Sequence, residues 1–178
     1  MRRETPLLIG GGLITDICGT ACSLYRRSTA YVRLPTTLIG MIDAAIAIKV
    51  GGNLAEKHKN RIGAFHPHSG VIIDFSLLAT LSEAHVRNGV AELIKISTVE
   101  HLEAFELLEK HTEDLIKYKF GYVEGAPAGL KEASDSAIWK SPAAFLGEEA
   151  PSEAALFCNG LATCVFVHLV IKHRMDFS

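Results

Sequence analysis

Residues 7–16 read LLIGGGLITD. Leu7 to Ile9 is a short apolar run that can form a buried strand, and it passes through three glycines into a segment of helical character. A strand that turns through glycines into a helix is the repeating unit of an α/β layer. Two more apolar runs, Tyr31 to Leu34 and Val71 to Ile73, close on a Pro and an Asp and are read as strands. Asp16 to Arg27 and Leu38 to Lys49 have the length of helices between them.

From Thr80 the pattern changes. Ser82 can cap a helix continuing through EAHVRNGVAELIKI, and HLEAFELLEKHTEDLIKY puts Leu102, Phe105, Leu108, Leu115 and Ile116 on one broad apolar face. Residues 120–129 (FGYVEGAPAG) are read as a turn. The expected fold class is α/β followed by all-α, with the boundary near residues 75 to 80.

The 178 residues are 48% hydrophobic and 21% charged, an ordinary globular composition, and the formal charge of -2 offers no general attraction for nucleic acid or anionic lipid. Cys18, Cys22, Cys158 and Cys164 follow neither a zinc-knuckle nor a CxxC spacing and read as small buried residues of a reducing compartment. The N-terminal apolar run is too short for a signal peptide, so the expected location is the cytoplasm. Ala154 to Ile171 approaches the length of a membrane span, but Asn159, Gly160, Thr163 and His168 interrupt it. A buried core helix, a non-native tail and, least favoured, a membrane anchor are its three readings.

Chemistry-bearing residues gather at the predicted strand ends. Gly10-Gly11-Gly12 leaves backbone amides open to an anion at a helix N-terminus, although a plain glycine turn explains it equally and the spacing is not GxGxxG. Asp16 suits either a ribose hydroxyl or a helix cap. Thr36 and Thr37 follow Pro35 at the edge where open α/β sheets bind ligands, and capping the next helix uses only one of the two hydroxyls. Asp43 stands among apolar residues and needs a partner such as Lys49 or Lys95. Lys57 to Arg61 form a basic cluster in an expected loop, suited to phosphate but equally to solvent. His66 and His68 alternate along an extended segment, a weak metal pattern. Asn88, Glu92 and Lys95 share one helix face, where the alternatives are a metal and phosphate site or a surface ion pair.

Taken in order, GGGLITD, RLPTTLIGMIDAAIAIKV, KNRIGAFHP, VIIDFSLLATL and NGVAELIK resemble the sugar-phosphate cyclases, the superfamily of 3-dehydroquinate synthase. The resemblance runs from about Leu7 to Ala137. Residues 47–50 read AIKV where dehydroquinate synthases have GGKT, and LYRRSTAYVRLPTT with the FGY segment sits nearer the branch that cyclises sedoheptulose 7-phosphate in mycosporine and valiolone biosynthesis.

What the resemblance implies is a Rossmann-like NAD-binding part followed by a helical domain. It places NAD against Gly12, Leu13, Ile14, Thr15, Asp16, Thr36, Thr37, Lys49, Lys59 and Leu77, Leu78, Ala79 and Thr80. Asp43, Lys49, Asn60 and Lys95 match catalytic or substrate positions, and Glu92 matches one of three zinc ligands. The implied reaction is phosphate elimination and ring closure of a sugar phosphate with transient use of NAD; 3-dehydroquinate synthase itself and a non-catalytic nucleotide-binding remnant are the alternatives. A full-length relative is expected to be a homodimer.

The expected divisions are residues 1–79 as the C-terminal part of the NAD-binding domain, 80–137 as the start of the metal and substrate domain, and 138–178 as a tail unlike the family. Family members also carry an additional N-terminal α/β segment and two zinc-binding histidines downstream, so the chain is expected to be an incomplete copy. His168 and His173 do not reproduce the family patterns and are assigned to structure.

Overall fold

The computed structural model describes residues 4–54, 58–100, 102–136 and 138. Its elements run β1 (Leu7–Gly10), α1 (Gly12–Leu24), β2 (Val32–Pro35), β3 (Lys49–Leu54), β4 (His58–Phe65), β5 (Gly70–Val71), α2 (Glu83–Glu100), α3 (Leu102–Lys117) and a last helix, α4, over residues 130–136. β1, β2 and β5 form a parallel sheet in that order, with Leu7 opposite Val32 and Gly10 opposite Pro35. The register brings the glycine turn and the Pro-Thr-Thr turn to the same edge. Parallel pairing requires each connection to cross back over the sheet, and α1 makes the first crossing.

Three expected strands are present with shifted ends: the first gains Gly10, the second is Val32–Pro35, and the third contracts to Gly70–Val71. α1 begins at Gly12 rather than Asp16, so Asp16 lies inside the helix and the N-cap position falls to Gly11.

The expected helix from Leu38 to Lys49 is overturned. After one helical turn the backbone widens into a π-turn over Gly40–Ala44, leaves the helix, and enters β3 at Lys49. The reason is tertiary. Arg33, on β2, sends Nη1 into the carbonyls of Ala44 (2.9 Å), Ala45 (3.1 Å) and Ala47 (2.7 Å), which satisfies the orphan acceptors at a helix end and stops its propagation. Intrinsic helix preference over AAIAI is only tenths of a kcal/mol per residue, so a buried guanidinium decides the outcome.

The expected loop for the basic cluster is also overturned over its described residues. Residues 58–61 belong to β4, which pairs antiparallel with β3 in a hairpin, Lys49 opposite Phe65 and Gly51 opposite Gly63. A Cβ on Gly63 would sit 2.6 Å from the Val50 carbonyl oxygen, so the glycine lets the two backbones approach. α1 packs against this hairpin where Gly19 meets Val50: a Cβ at Gly19 would lie 2.5 Å from Val50 Cγ1.

One apolar core runs from Leu38, Met41 and Ile42 through Val71, Ile73 and Leu78 to Val86, Val90, Leu93, Leu108, Leu115, Phe120 and Ile138. α2 reaches the sheet side closely. A Cβ on Gly89 would fall 2.5 Å from both Cβ and Cγ of the fully buried Leu38, so the helix axis lies close over the turn that follows β2. Of the expected apolar face of α3, Leu108 and Leu115 are buried, but Leu102 is 71% exposed at the first position of the helix. Ile94, expected to pack, is likewise partly exposed, whereas Val90 and Leu93 are buried.

A buried polar cluster lies beneath the hairpin. Arg33 Nη2 donates to Tyr31 Oη (3.0 Å), which donates to the His66 carbonyl (2.8 Å), and a His66 ring nitrogen meets the Thr29 carbonyl at 3.0 Å. His68 is buried beside it with its ring edge-on to Tyr31, near the Ala45 and Ile46 backbone but without a well-formed hydrogen bond. Burial, aided by repulsion from Arg33, pushes its imidazole from 6.5 down to about 4.

The native state therefore holds His68 neutral, and its contribution is complete above pH 6.5 and fades as pH falls toward 4. Unfolding free energy is expected to be roughly 2–3 kcal/mol lower at pH 4.5 than at pH 7.5 through this group alone. Urea titrations at the two pH values check it: His68→Gln should lose that part of the pH dependence, and an unchanged dependence would refute the assignment.

Candidate nucleotide and substrate site

The site is built on the edge of the parallel sheet where β1 and β2 end. Gly11 precedes the first turn of α1 and has no side chain, and the Thr15 amide and hydroxyl return to its carbonyl at 3.1 and 3.0 Å. This fixes the helix entry while the first amides of α1 face outward, an arrangement that favours an anion. The Thr36 amide bonds the Gly10 carbonyl at 3.0 Å, which ties the two turns together.

Thr37 is the second wall of the cradle. A Cβ on Gly11 would approach Thr37 Cγ2 at 3.0 Å and Oγ1 at 3.4 Å, so any side chain there would fill the gap between the turns. Thr37 Oγ1 also accepts from the Gly40 amide at 3.1 Å, capping the following turn, while Thr36 remains half-buried at the rim. A Cβ on Gly12 would meet Ala44 Cβ at 3.7 Å, which places the Asp43-bearing turn directly beside the glycine loop.

Asp43 Oδ1 is buried and accepts no hydrogen bond. A buried acceptor without a partner is uncommon in a folded protein and leaves this oxygen open to a ligand or water. Lys95 lies within electrostatic reach: hydrogen bonding to Glu92 and, to a lesser degree, the Asp43 charge hold its ammonium above the ordinary lysine range. Lys49, the other partner considered for Asp43, is exposed at the start of β3.

α2 supplies the opposite wall. Asn88 is exposed, Glu92 is largely buried, and Lys95 reaches back to Glu92 in an ion pair. Among the described residues no group of three or more His, Cys, Asp or Glu side chains comes together for a metal. The alternating His66 and His68 are accounted for by the buried cluster rather than by a metal.

The other expected positions divide by depth. Leu13 and Ile14 are exposed on α1, Thr15 is buried, and Asp16 lies within electrostatic reach of Arg33 and Tyr31. Leu77 to Thr80 lie in a 3-10 turn, Phe75–Thr80, whose N-cap is Asp74; the Leu78 side chain is fully buried, so only its backbone can meet a ligand. Lys59 and Asn60 fall on β4, and Lys57, His168 and His173 lie outside the described residues.

Sequence reasoning missed Arg33, Gly89 and Lys119. None of the three carries a local signal that names its partner; Arg33 shows only as one charge inside an apolar run.

Residues 1–88 match the family described as 3-dehydroquinate synthase N-terminal. The chain is 51% identical over 152 residues to demethyl-4-deoxygadusol synthase of Trichormus variabilis, covering 85% of this chain and 37% of that protein. It belongs to the 3-dehydroquinate synthase superfamily. A 2-epi-5-epi-valiolone synthase of Streptomyces hygroscopicus subsp. jinggangensis is 53% identical over 129 residues, covering 72% of this chain and 31% of that protein.

The structure of the Streptomyces enzyme with NAD+ and Zn2+ bound superposes with a TM-score of 0.72 at 44% identity, covering 82% of this chain and 39% of that chain. A 2-deoxy-scyllo-inosose synthase, at 23% identity and a TM-score of 0.62, shares the fold. The chain thus spans roughly a third of the length of the curated relatives it matches. No described helix is long and apolar enough to cross a membrane.

Proposed function

We propose that this chain provides the NAD-holding core of a sugar-phosphate cyclase that eliminates phosphate from sedoheptulose 7-phosphate, or a related sugar phosphate, and closes the carbocycle. The observation that carries the reading is the side-chain-free cradle between Gly11 and Thr37 beside the unpartnered Asp43 Oδ1. In this reading residues 1–79 are the C-terminal part of the NAD-binding domain and 80–137 the start of the metal and substrate domain. The working location is the cytoplasm, and the working assembly of a full-length protein is a homodimer.

Gly12 to Asp16, Thr36, Thr37, Lys49, Lys59 and Leu77 to Thr80 would hold NAD, with the α1 amides and the Thr37 hydroxyl nearest its phosphates. The chemistry that NAD would supply when held there is transient oxidation of a sugar hydroxyl to a ketone, which acidifies the neighbouring C–H until the hydride is returned. Asp43 accepts a hydrogen bond from substrate or cofactor through its free oxygen, while Lys95 and Asn60 hold negative charge that develops as phosphate leaves.

Zinc fits less well. Glu92 is its single candidate ligand among the described residues and is paired with Lys95, whereas a catalytic zinc usually takes three protein ligands. No step is therefore assigned to the metal.

Calorimetric titration with NAD+ tests the reading. The unsubstituted protein should bind, and Gly11→Val should weaken binding at least about tenfold, because its methyls occupy the cradle while the extended backbone at Gly11 accommodates any residue. Equal affinity in the two proteins would remove the cradle from the site. Glu92 as the one candidate zinc ligand among the described residues is what favours a second reading, a nucleotide-binding module without catalysis. Phosphate release from sedoheptulose 7-phosphate with stoichiometric zinc would exclude it, and NAD binding without release would support it.

A further inference from the structure

We infer that Lys119 is a positioning residue for nucleotide binding, a strut from the helical part that fixes the Phe75–Thr80 turn; the inference rests on the proposed reading of Leu77 to Thr80 as nucleotide contacts. Lys119 Nζ donates to the Ala79 carbonyl at 2.7 Å across 40 residues of sequence. That carbonyl lies at the end of a 3-10 turn, where acceptors lack partners within the turn and a cation complements the dipole.

The backbone that aims this lysine is costly. Lys119, Phe120 and Gly121 take φ values of 47°, 62° and 85°, three consecutive left-handed residues of which two carry side chains. Such conformations persist where their surroundings over-determine them, and here they do. The Phe120 side chain is buried in the core, its carbonyl accepts from the Ser134 hydroxyl at 2.7 Å, and a Cβ on Gly121 would sit 2.8 Å from the Lys131 backbone. Tyr122 Oη is further held by both oxygens of Asp135, at 2.7 and 2.8 Å.

Ending α3 requires no such geometry; a single left-handed residue suffices at most helix ends. The strained turn instead fixes a long side chain against one carbonyl of the Phe75–Thr80 turn. Within that turn the Leu77 amide bonds the Asp74 carbonyl at 3.3 Å, the Leu81 amide bonds the Leu78 carbonyl at 3.1 Å, and Thr80 Oγ1 bonds the Leu77 carbonyl at 2.8 Å. These are short-range bonds in a six-residue turn, and Lys119 adds a long-range polar tie to the core burial of Leu78.

The test compares Lys119→Met with Lys119→Arg by amide hydrogen exchange and by calorimetric titration with NAD+. Lys119→Met should speed exchange at Leu77 and Leu81 at least about tenfold, leave the central amides of α2 and α3 unchanged, and weaken NAD+ binding about fivefold or more. Lys119→Arg, which retains a donor of similar reach, should restore most of both. Unchanged exchange in Lys119→Met overturns the strut, and faster exchange with unchanged NAD+ affinity overturns its role in binding. If the unsubstituted protein binds no NAD+, the underlying reading of the site fails and the inference fails with it.

Discussion

Arg33→Met is expected to lower the unfolding free energy by at least about 3 kcal/mol. Arg33 is 1% exposed, and its guanidinium serves the carbonyls of Ala44, Ala45 and Ala47 together with Tyr31 Oη. Methionine fills much of the same volume but donates nothing, so three acceptors lose their partner, at roughly 1–3 kcal/mol for each one that stays buried and unpaired. Removing a desolvated cation returns part of this, because burial already lowers the basicity of Arg33. The carbonyl losses outweigh that relief when two or more of them remain dry.

Urea unfolding measures the difference. Arg33→Lys should fall between the two proteins, since it keeps the charge but its single ammonium lacks the span of the guanidinium fork. A change below about 1 kcal/mol for Arg33→Met would show that the π-turn and the exit into β3 do not depend on this hub.

The second large effect is expected at Gly89. Replacing an interior helical glycine by alanine normally stabilises by about 0.5–1 kcal/mol. Here the added methyl would lie 2.5 Å from Leu38 Cβ and Cγ, atoms near the backbone of a fully buried residue that cannot swing away. Overpacking of this kind costs about 1–3 kcal/mol, and the severity of the approach puts it at the upper end, so Gly89→Ala should destabilise by about 2 kcal/mol net. The same displacement moves α2 off the turn that carries Thr37, and NAD+ affinity should fall with stability.

A double-substitution cycle isolates the contact. Leu38→Ala alone leaves a cavity and costs about 2–5 kcal/mol; in its presence the Gly89 methyl is freed from Leu38 Cγ and Cδ2 but still meets the Cβ that alanine retains, so the pair should be less destabilising than the sum by about 1 kcal/mol, the share of the clash carried by the removed atoms. Additivity would mean that the helix and the turn adjust independently.

Both effects concern how the candidate site is held, and both were beyond reach of local sequence patterns. The residues of the proposed site were legible as candidates because their signals are local: three glycines after an apolar run, two threonines after a strand-ending proline, and a carboxylate set among apolar neighbours. The holding residues carry no such signal. Gly89 reads as an ordinary helix weakener until Leu38 is seen above it, and Lys119 reads as a solvated lysine until its carbonyl partner appears 40 residues earlier.

By itself, then, the sequence determined the α/β beginning, the helical continuation and the order of the chemistry-bearing residues along the chain. LLIGGGLITD is sufficient for a strand, turn and helix because strand periodicity, glycine freedom and helix entry act over only a few residues. Only the tertiary structure decided that the segment after Asp43 leaves the helix for a hairpin, that Lys95 pairs with Glu92 while Lys49 is exposed, and that α2 lies against Leu38 and Lys119 against the Ala79 carbonyl. Those outcomes depend on groups far apart in sequence meeting in a dry core, where one guanidinium or one absent methyl outweighs the small propensities that local reasoning can sum.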